Sequence, residues 1–215
     1  MLTSLPNLLT LSRIIVIPII IGLFFVREHW AAWTACILFG AAAITDYIDG
    51  YLARSWSQVS IVGKFLDPIA DKLLVAAVLF MLVAVDKLNG ISVLPAVVIL
   101  LREVLVSGLR EFLAGIRVGM PVSKLAKWKT AIQMVALGIL IVGDDGPVGL
   151  PVQEIGEVGL WAAGLLTLIT GWDYMQAGWK HMNEEPEPPP PAPRPQVPPH
   201  GAKAAPRPKA ASSTG

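Results

Sequence analysis

The sequence predicts an all-α integral membrane protein with six transmembrane helices, and three observations support this fold class. Hydrophobic residues make up 54% of the 215 residues, and charged residues make up only 15%, against about 25% in an average soluble protein. Long apolar stretches alternate with short polar connections, and 11 of the 18 prolines lie after residue 183. The composition disfavours a water-soluble globule, and it excludes a coiled coil or a disulfide-rich domain, since Cys36 is the only cysteine.

Six segments are long enough to cross a membrane. A hydrocarbon core of about 30 Å requires about 20 helical residues. Strands that are not closed into a barrel cannot cross lipid, because their backbone groups would lose hydrogen-bond partners, so the segments are predicted to be helices. The predicted spans are residues 8–26, 31–53, 68–85, 91–113, 128–143 and 155–178.

The spans belong to one predicted membrane domain, residues 1–183, which is followed by a proline-rich tail. Residues 184–215 show no apolar periodicity. Such a segment cannot bury enough apolar surface to offset the entropy of ordering. We therefore predict a disordered tail of polyproline character.

Basic residues predict the orientation in the membrane. They concentrate in two connections, between spans two and three and between spans four and five, whereas the connections on the other side carry only Arg27 and Lys87. Connections rich in Lys and Arg stay on the cytoplasmic side. Since the number of spans is even, both termini are predicted to be cytoplasmic.

Four aspartates flank the connection between spans two and three. Asp46 and Asp49 are three residues apart at the end of span two, and Asp67 and Asp71 are four residues apart near the start of span three. Each pair therefore shares one helical face. We expect the two helices to be antiparallel neighbours, so the four carboxylates, called the acidic cluster, should converge at the cytoplasmic end of the bundle.

The acidic cluster predicts a site for divalent metal. Carboxylates near lipid are costly, and four of them repel one another unless cations neutralise them. Oxygen ligands suit Mg²⁺ or Mn²⁺, which usually share their site with substrate phosphates. Four carboxylates can hold two ions in a geometry suited to phosphoryl chemistry. The alternative for a single member is a helix cap, and Asp67 before Pro68 fits an N-cap followed by a first-turn proline.

Eight positions from 46 to 71 resemble the signature of the CDP-alcohol phosphatidyltransferases. The motif is Asp46-x2-Asp49-Gly50-x2-Ala53-Arg54-x8-Gly63-x3-Asp67-x3-Asp71, without departure from the family pattern. The resemblance implies a membrane enzyme of six helices, usually a homodimer. Such an enzyme moves a phosphatidyl group from CDP-diacylglycerol to an alcohol and releases CMP.

The resemblance also implies roles for the residues of the motif. The four members of the acidic cluster would be metal ligands, and Asp71 would also be the base that activates the acceptor hydroxyl. The residues implied to hold CDP-diacylglycerol are Asp49, Gly50, Ala53, Arg54 and Gly63.

Other stretches favour sn-glycerol 3-phosphate as the acceptor. Residues 5–13, 63–74, 101–111 and 121–134 resemble bacterial family members that use this acceptor, which implies a location in the bacterial inner membrane. A dianionic phosphate needs fixed cations, which are expected on the same membrane face as the acidic cluster. The candidate acceptor-binding residues are Thr10, Arg13, Arg110, Lys124, Lys127 and Lys129. Alternatively, these cations only orient the protein and contact anionic lipid.

Arg102 and Glu103 lie near the middle of span four, where ionisable side chains usually face the bundle interior and pair. We predict an ion pair with another helix, and contact with the acceptor is the alternative.

The sequence features are also consistent with other functions. A family member that uses another acceptor, phosphatidylglycerol or inositol phosphate, would share the motif. A metal- or proton-coupled transporter could also place carboxylates in a bundle, although transporters usually bind near the midplane within inverted repeats. A nucleic-acid partner is not expected, since the net charge is only +1.

Overall fold

The computed structural model describes the backbone of residues 5–56, 61–115 and 124–183, and the side chains of residues 11–45, 69–115 and 125–176. Within these ranges the chain forms six α-helices and no strand. The helices are α1 (Leu5–Phe24), α2 (His29–Trp56), α3 (Ile61–Ala84), α4 (Val93–Gly115), α5 (Lys124–Val142) and α6 (Val152–Asn183). The predicted all-helical fold is confirmed. The predicted tail lies outside the described residues.

The described helices have the length and apolarity of a membrane protein. Among the described residues, three stretches are each long and apolar enough to cross a membrane, namely Gly90–Gly115, Leu125–Asp145 and Val152–Gln176. Among the described side chains, α1 and α2 contribute the shorter apolar runs Leu11–Phe24 and His29–Thr45. The protein is therefore membrane-embedded.

Helix α3 begins earlier than predicted. It starts at Ile61 rather than at residue 68. Asp67 therefore lies in the second turn of the helix, and the alternative that it caps the helix N-terminus is wrong. Lys64 and Asp67 interrupt the apolar run in the first two turns, so the length of the apolar segment predicted a later start for the helix.

One apolar core joins all six helices. Helix α3 contributes a stripe at helical spacing, Leu74, Val78 and Leu82, which is almost fully buried. It packs with residues of the other helices that are also nearly inaccessible, namely Ile20, Phe39, Ile99, Leu137, Leu140 and Leu160.

Helices α5 and α6 form the most extensive helix pair in the described residues. Small residues on α6 allow this close approach: a Cβ at Gly156 would lie 2.7 Å from Leu140 Cγ. On the neighbouring face of α6, a Cβ at Gly164 would lie 3.0 Å from Pro95 Cβ of α4. Glycine at such contacts lets helix backbones pack closely in a membrane.

The packing of α2 against α3 differs from the expectation. Among the described residues these helices contact each other only slightly, whereas α1 packs extensively against both. A short connection brings two helix ends together, but it does not require the helices to pack along their length. The few contacts between α2 and α3 therefore give only slight support to the prediction that they pack as antiparallel neighbours.

Candidate active site at one end of the bundle

The acidic cluster is divided between two helices. Asp46 and Asp49 belong to α2, and Asp67 and Asp71 belong to α3. Since the backbone is helical at all four positions, each pair keeps the spacing that places both members on one helical face.

Asp71 is the member of the acidic cluster whose side chain the structure describes, and it is partly buried. The side chains of other predicted site residues lie outside the described ones: Thr10, Asp46, Asp49, Gly50, Ala53, Arg54, Gly63, Asp67 and Lys124. Among the described residues no group of three or more His, Cys, Asp or Glu could hold a metal ion. The convergence of the acidic cluster thus stays a prediction.

A small cavity adjoins Asp71. It has a volume of about 40 Å³, and its polar lining is Asp71, Lys72, Glu103, Thr130 and Gln133. We call it the Asp71 cavity. Gln133 is buried, and its Oε1 atom accepts no hydrogen bond from the described residues. A space of this size, with polar groups around it, can hold one water molecule.

A second cavity, called the α4 cavity, lies beside the first. Its volume is about 290 Å³. Lys72 and Glu103 line both cavities, so the α4 cavity adjoins the surroundings of Asp71. Its other polar and charged lining residues lie on α4, namely Arg102, Ser107, Arg110 and Glu111.

Glu103 joins two helices through an ion pair. Its carboxylate accepts a hydrogen bond from the ammonium of Lys129 on α5. Lys129 is buried, with only 2% of its surface exposed. The predicted ion pair between span four and another helix is therefore confirmed, and its partner is one of the predicted acceptor-binding lysines.

Arg102 is held on its other side by α6. Its Nη1 lies 3.7 Å from Glu103 Oε1. Its Nη2 donates a hydrogen bond of 3.2 Å to Thr170 Oγ1, and the guanidinium lies 5.5 Å from the centre of the Tyr174 ring. These contacts fix the arginine in the bundle interior, where it forms one wall of the α4 cavity.

The remaining acceptor-binding candidates have different surroundings. Arg110 is exposed and lines the α4 cavity. Arg13 is buried within α1, with 2% of its surface exposed. Lys127 is exposed on α5. Of these three, Arg110 lines a cavity next to Asp71.

Sequence reasoning did not assign a role in the site to Lys72, Ser107 or Glu111. A signal was present, because Glu103, Ser107 and Glu111 recur every four residues and so share one face of α4. Lys72 directly follows Asp71, a residue of the family motif.

Comparison with known proteins identifies the family. The family model described as CDP-alcohol phosphatidyltransferase matches residues 3–169. A protein of Rickettsia typhi is 51% identical over 174 residues, which are 81% of this chain and 96% of the relative. A protein of Cereibacter sphaeroides is 38% identical, with 85% of this chain and 98% of the relative covered.

A third relative, from Shigella flexneri, is 39% identical over 81% of this chain and 94% of its own length. All three are named CDP-diacylglycerol–glycerol-3-phosphate 3-phosphatidyltransferase. Both the coverage and the identity are high enough to assign the family: the chain is a member of the CDP-alcohol phosphatidyltransferases.

Proposed function

We propose that the protein transfers the phosphatidyl group of CDP-diacylglycerol to sn-glycerol 3-phosphate, which gives phosphatidylglycerophosphate and CMP. Relatives named for this reaction match more than four fifths of the chain at 38–51% identity. The alternative of a metal- or proton-coupled transporter is set aside, because the family consists of transferases.

The α4 cavity is the observation that supports this acceptor best. Lys72, Arg102 and Arg110 bring three cations to its lining. The lining carboxylates are Glu103, which is paired with Lys129 from outside the cavity, and Glu111. The balance favours an anionic ligand, and a volume near 290 Å³ suits a small one. Glycerol 3-phosphate is both small and dianionic.

The position of the α4 cavity supports a role for Asp71 as general base. Because the α4 cavity and the Asp71 cavity share Lys72 and Glu103, a phosphate near Arg110 would place the attached glycerol toward Asp71. We propose that Asp71 accepts the proton of the acceptor hydroxyl, which then attacks the phosphorus that carries diacylglycerol. Alignment and charge stabilisation would supply most of the acceleration.

Family members generally use a divalent metal ion. The donor set fits this requirement, because the acidic cluster offers carboxylate oxygens, the ligands that Mg²⁺ and Mn²⁺ prefer. We propose that Asp46, Asp49, Asp67 and Asp71 hold two such ions. When bound, the metal would neutralise charge on the diphosphate of the donor substrate.

The other site residues are proposed on the family motif and on charge. Asp49, Gly50, Ala53, Arg54 and Gly63 would hold CDP-diacylglycerol. Thr10, Arg13, Arg110, Lys124 and Lys127 would contact the acceptor. For Lys129 we propose a positioning role instead, because its ammonium is held by Glu103 inside the bundle.

The setting of the reaction is proposed as well. Both substrates carry phosphates, and the sequence predicts the basic connections at the same end as the acidic cluster, so we propose that this end is cytoplasmic together with both termini. Bacterial relatives support a location in the inner membrane. We also propose that the active form is a homodimer, as the family resemblance implies.

The test is a direct assay of purified protein in detergent with CDP-diacylglycerol, Mg²⁺ or Mn²⁺ and a panel of acceptors. We expect CMP release with glycerol 3-phosphate, and much slower release with inositol phosphate or phosphatidylglycerol. Preference for either of the other acceptors would retain the family and overturn the proposed acceptor.

A further inference from the structure

A cavity lies at the end of the bundle opposite the acidic cluster. Its volume is about 540 Å³, which falls in the range of small-molecule sites. Its walls come from the connections α1–α2 and α3–α4, from the adjoining ends of α1, α2 and α3, and from the end of α5 with the turn that follows it. We call it the opposite-end cavity. No residue of the proposed reaction lines it.

One part of its wall is apolar. Leu23 and Phe24 of α1, Ala32 and Ala35 of α2, and Ile141 of α5 all line it. Trp30 and Trp33 are exposed at the same end of α2. Exposed tryptophans mark the depth at which lipid headgroups meet acyl chains. The opposite-end cavity therefore lies where both parts of a phospholipid are present.

Two of the charges that line the cavity are already neutralised by each other. Lys87 Nζ lies 3.7 Å from Asp145 Oδ2 and donates hydrogen bonds of 2.6 Å and 3.1 Å to the carbonyl oxygens of Ile141 and Val142. The His29 ring nitrogen Nδ1 lies 3.3 Å from Asp145 Oδ1. We call these contacts the staple, because they hold α5 against the α3–α4 connection. Lys87 and Asp145 therefore have a structural role.

Two other lining charges have no such partner. Arg27 and Asp86 both line the cavity, both are exposed, and neither forms an ion pair with a described residue. The opening thus offers one cation and one anion that are not committed to each other. A ligand that complements it carries one anionic and one cationic group beside an apolar portion.

We propose that the opposite-end cavity binds a zwitterionic phospholipid with a primary amine headgroup. The phosphate would pair with Arg27, the ammonium would donate hydrogen bonds to Asp86, and an acyl chain would lie along the apolar wall. A quaternary amine has no N–H group and cannot form the second contact. An anionic headgroup such as that of phosphatidylglycerol has no cation to pair with Asp86.

The experiment compares lipids of identical acyl chains. Purified wild-type protein in detergent is mixed with phosphatidylethanolamine, phosphatidylcholine or phosphatidylglycerol, and bound lipid is counted by native mass spectrometry. We expect phosphatidylethanolamine to be retained in preference to the other two. Arg27→Gln and Asp86→Asn should each weaken its retention by roughly two- to fivefold, the range for exposed ion pairs.

Matched controls separate the site from general surface charge. Glu28→Gln and Asp144→Asn change charged residues at the same end that do not line the cavity, and they should retain the lipid like the wild type. Asp86 has a φ of 60°, a conformation that asparagine also adopts readily, so Asp86→Asn should fold normally.

Three outcomes would overturn the proposal. The first is equal retention by the wild type and both lining variants. The second is a preference for phosphatidylglycerol, which would indicate a site for anionic lipid that depends on Arg27 alone. The third is equal retention of soluble glycerophosphoethanolamine at the same concentration, which would mean that the apolar wall contributes nothing. None of these results depends on the transferase reaction.

Discussion

The ammonium of Lys129 on α5 donates a hydrogen bond to the carboxylate of Glu103 on α4, inside the membrane-spanning part of the bundle. An unpaired charge at this depth would cost free energy because it loses its hydration, and the ion pair offsets this cost only while both members are present. Because Glu103 also lines both cavities beside Asp71, the pair links the stability of the bundle to the shape of the candidate site.

Removing Glu103 alone should destabilise the protein more than removing both members of this pair. Glu103→Gln leaves the buried ammonium of Lys129 without its counter-charge, which costs about 3 kcal/mol of the free energy of unfolding for a buried pair. Lys129→Met should cost less, because Arg102 Nη1 still lies 3.7 Å from Glu103 Oε1. The double variant should recover a large part of this loss. The measurement is a double-mutant cycle by denaturant unfolding in mixed micelles. Lys127→Met, at an exposed position of the same helix, is the control and should change stability by less than about 0.5 kcal/mol. Strictly additive single losses would mean that the two charges do not interact.

Asp71→Asn should separate chemistry from donor binding. An amide cannot accept the proton of the acceptor hydroxyl, so we expect kcat to fall by at least about 100-fold, the lower range for a general base. The affinity for CDP-diacylglycerol should change much less. Turnover is followed by CMP release, and donor affinity by equilibrium binding. Asp173→Asn, an exposed aspartate on α6, should leave both unchanged. A variant with weakened donor binding but a kcat equal to that of the wild type at saturating donor would make Asp71 a ligand only.

Arg110→Ala should weaken the acceptor selectively. A charge-assisted contact contributes about 1.5–3 kcal/mol, so the KM for glycerol 3-phosphate should rise roughly tenfold to hundredfold. The KM for CDP-diacylglycerol should stay near its original value. Arg110→Lys should restore the contact only in part, since an ammonium does not reproduce the planar guanidinium fork.

Arg27→Ala is the matched control for this experiment, because Arg27 lies at the opposite end of the bundle. Its KM for glycerol 3-phosphate should equal that of the wild type. If both arginine variants raise this KM alike, the α4 cavity does not hold the acceptor phosphate.

Metal removal should abolish turnover without unfolding the protein. Chelation with EDTA should stop CMP release, and added Mg²⁺ or Mn²⁺ should restore it. Asp49→Asn and Asp67→Asn should be inactive even with excess metal. Without metal they should unfold at a temperature no lower than the wild type, because each removes one like charge from the acidic cluster. Full activity of either variant would remove that aspartate from the proposed ligand set.

The sequence predicted the architecture well because a bilayer imposes a simple rule on segment length and apolarity. It misplaced the start of α3, where Lys64 and Asp67 interrupt an otherwise helical segment. Glu103 was predicted to pair because an intramembrane charge demands a partner, and the structure supplied Lys129.

Other features could not be predicted because they depend on contacts between distant segments. The staple from Lys87 to the end of α5 joins residues more than fifty positions apart, and neither partner stands in a recognisable motif. The α4 cavity likewise depends on how α3 and α4 pack, so the sequence did not predict that Lys72 and Arg110 line the same cavity. The convergence of the acidic cluster remains a prediction from helical spacing and the family motif.

The staple at the opposite end should make stability depend on pH in a defined direction. Burial lowers the pKa of Lys87, and the nearby carboxylates of Asp145 and Asp144 oppose this shift in part. Between the lowered pKa and the ordinary value of about 10.4, the unfolded chain binds more protons at this position than the folded protein does. The contribution of Lys87 to the free energy of unfolding therefore rises with pH across that window, by at most about 1.4 kcal/mol per pH unit.

Lys87→Met lacks this titration, so the stability of the wild type relative to the variant should increase as the pH is raised toward 10.4. Lys87→Arg keeps its charge throughout this range. The free energy of unfolding of the wild type relative to Lys87→Arg should therefore also increase with pH, even if the arginine retains some of the hydrogen bonds to α5. The measurement is denaturant unfolding of the three proteins in one detergent over this pH series. A difference that stays constant or shrinks as the pH rises would mean that the buried ammonium is not destabilised in the folded state.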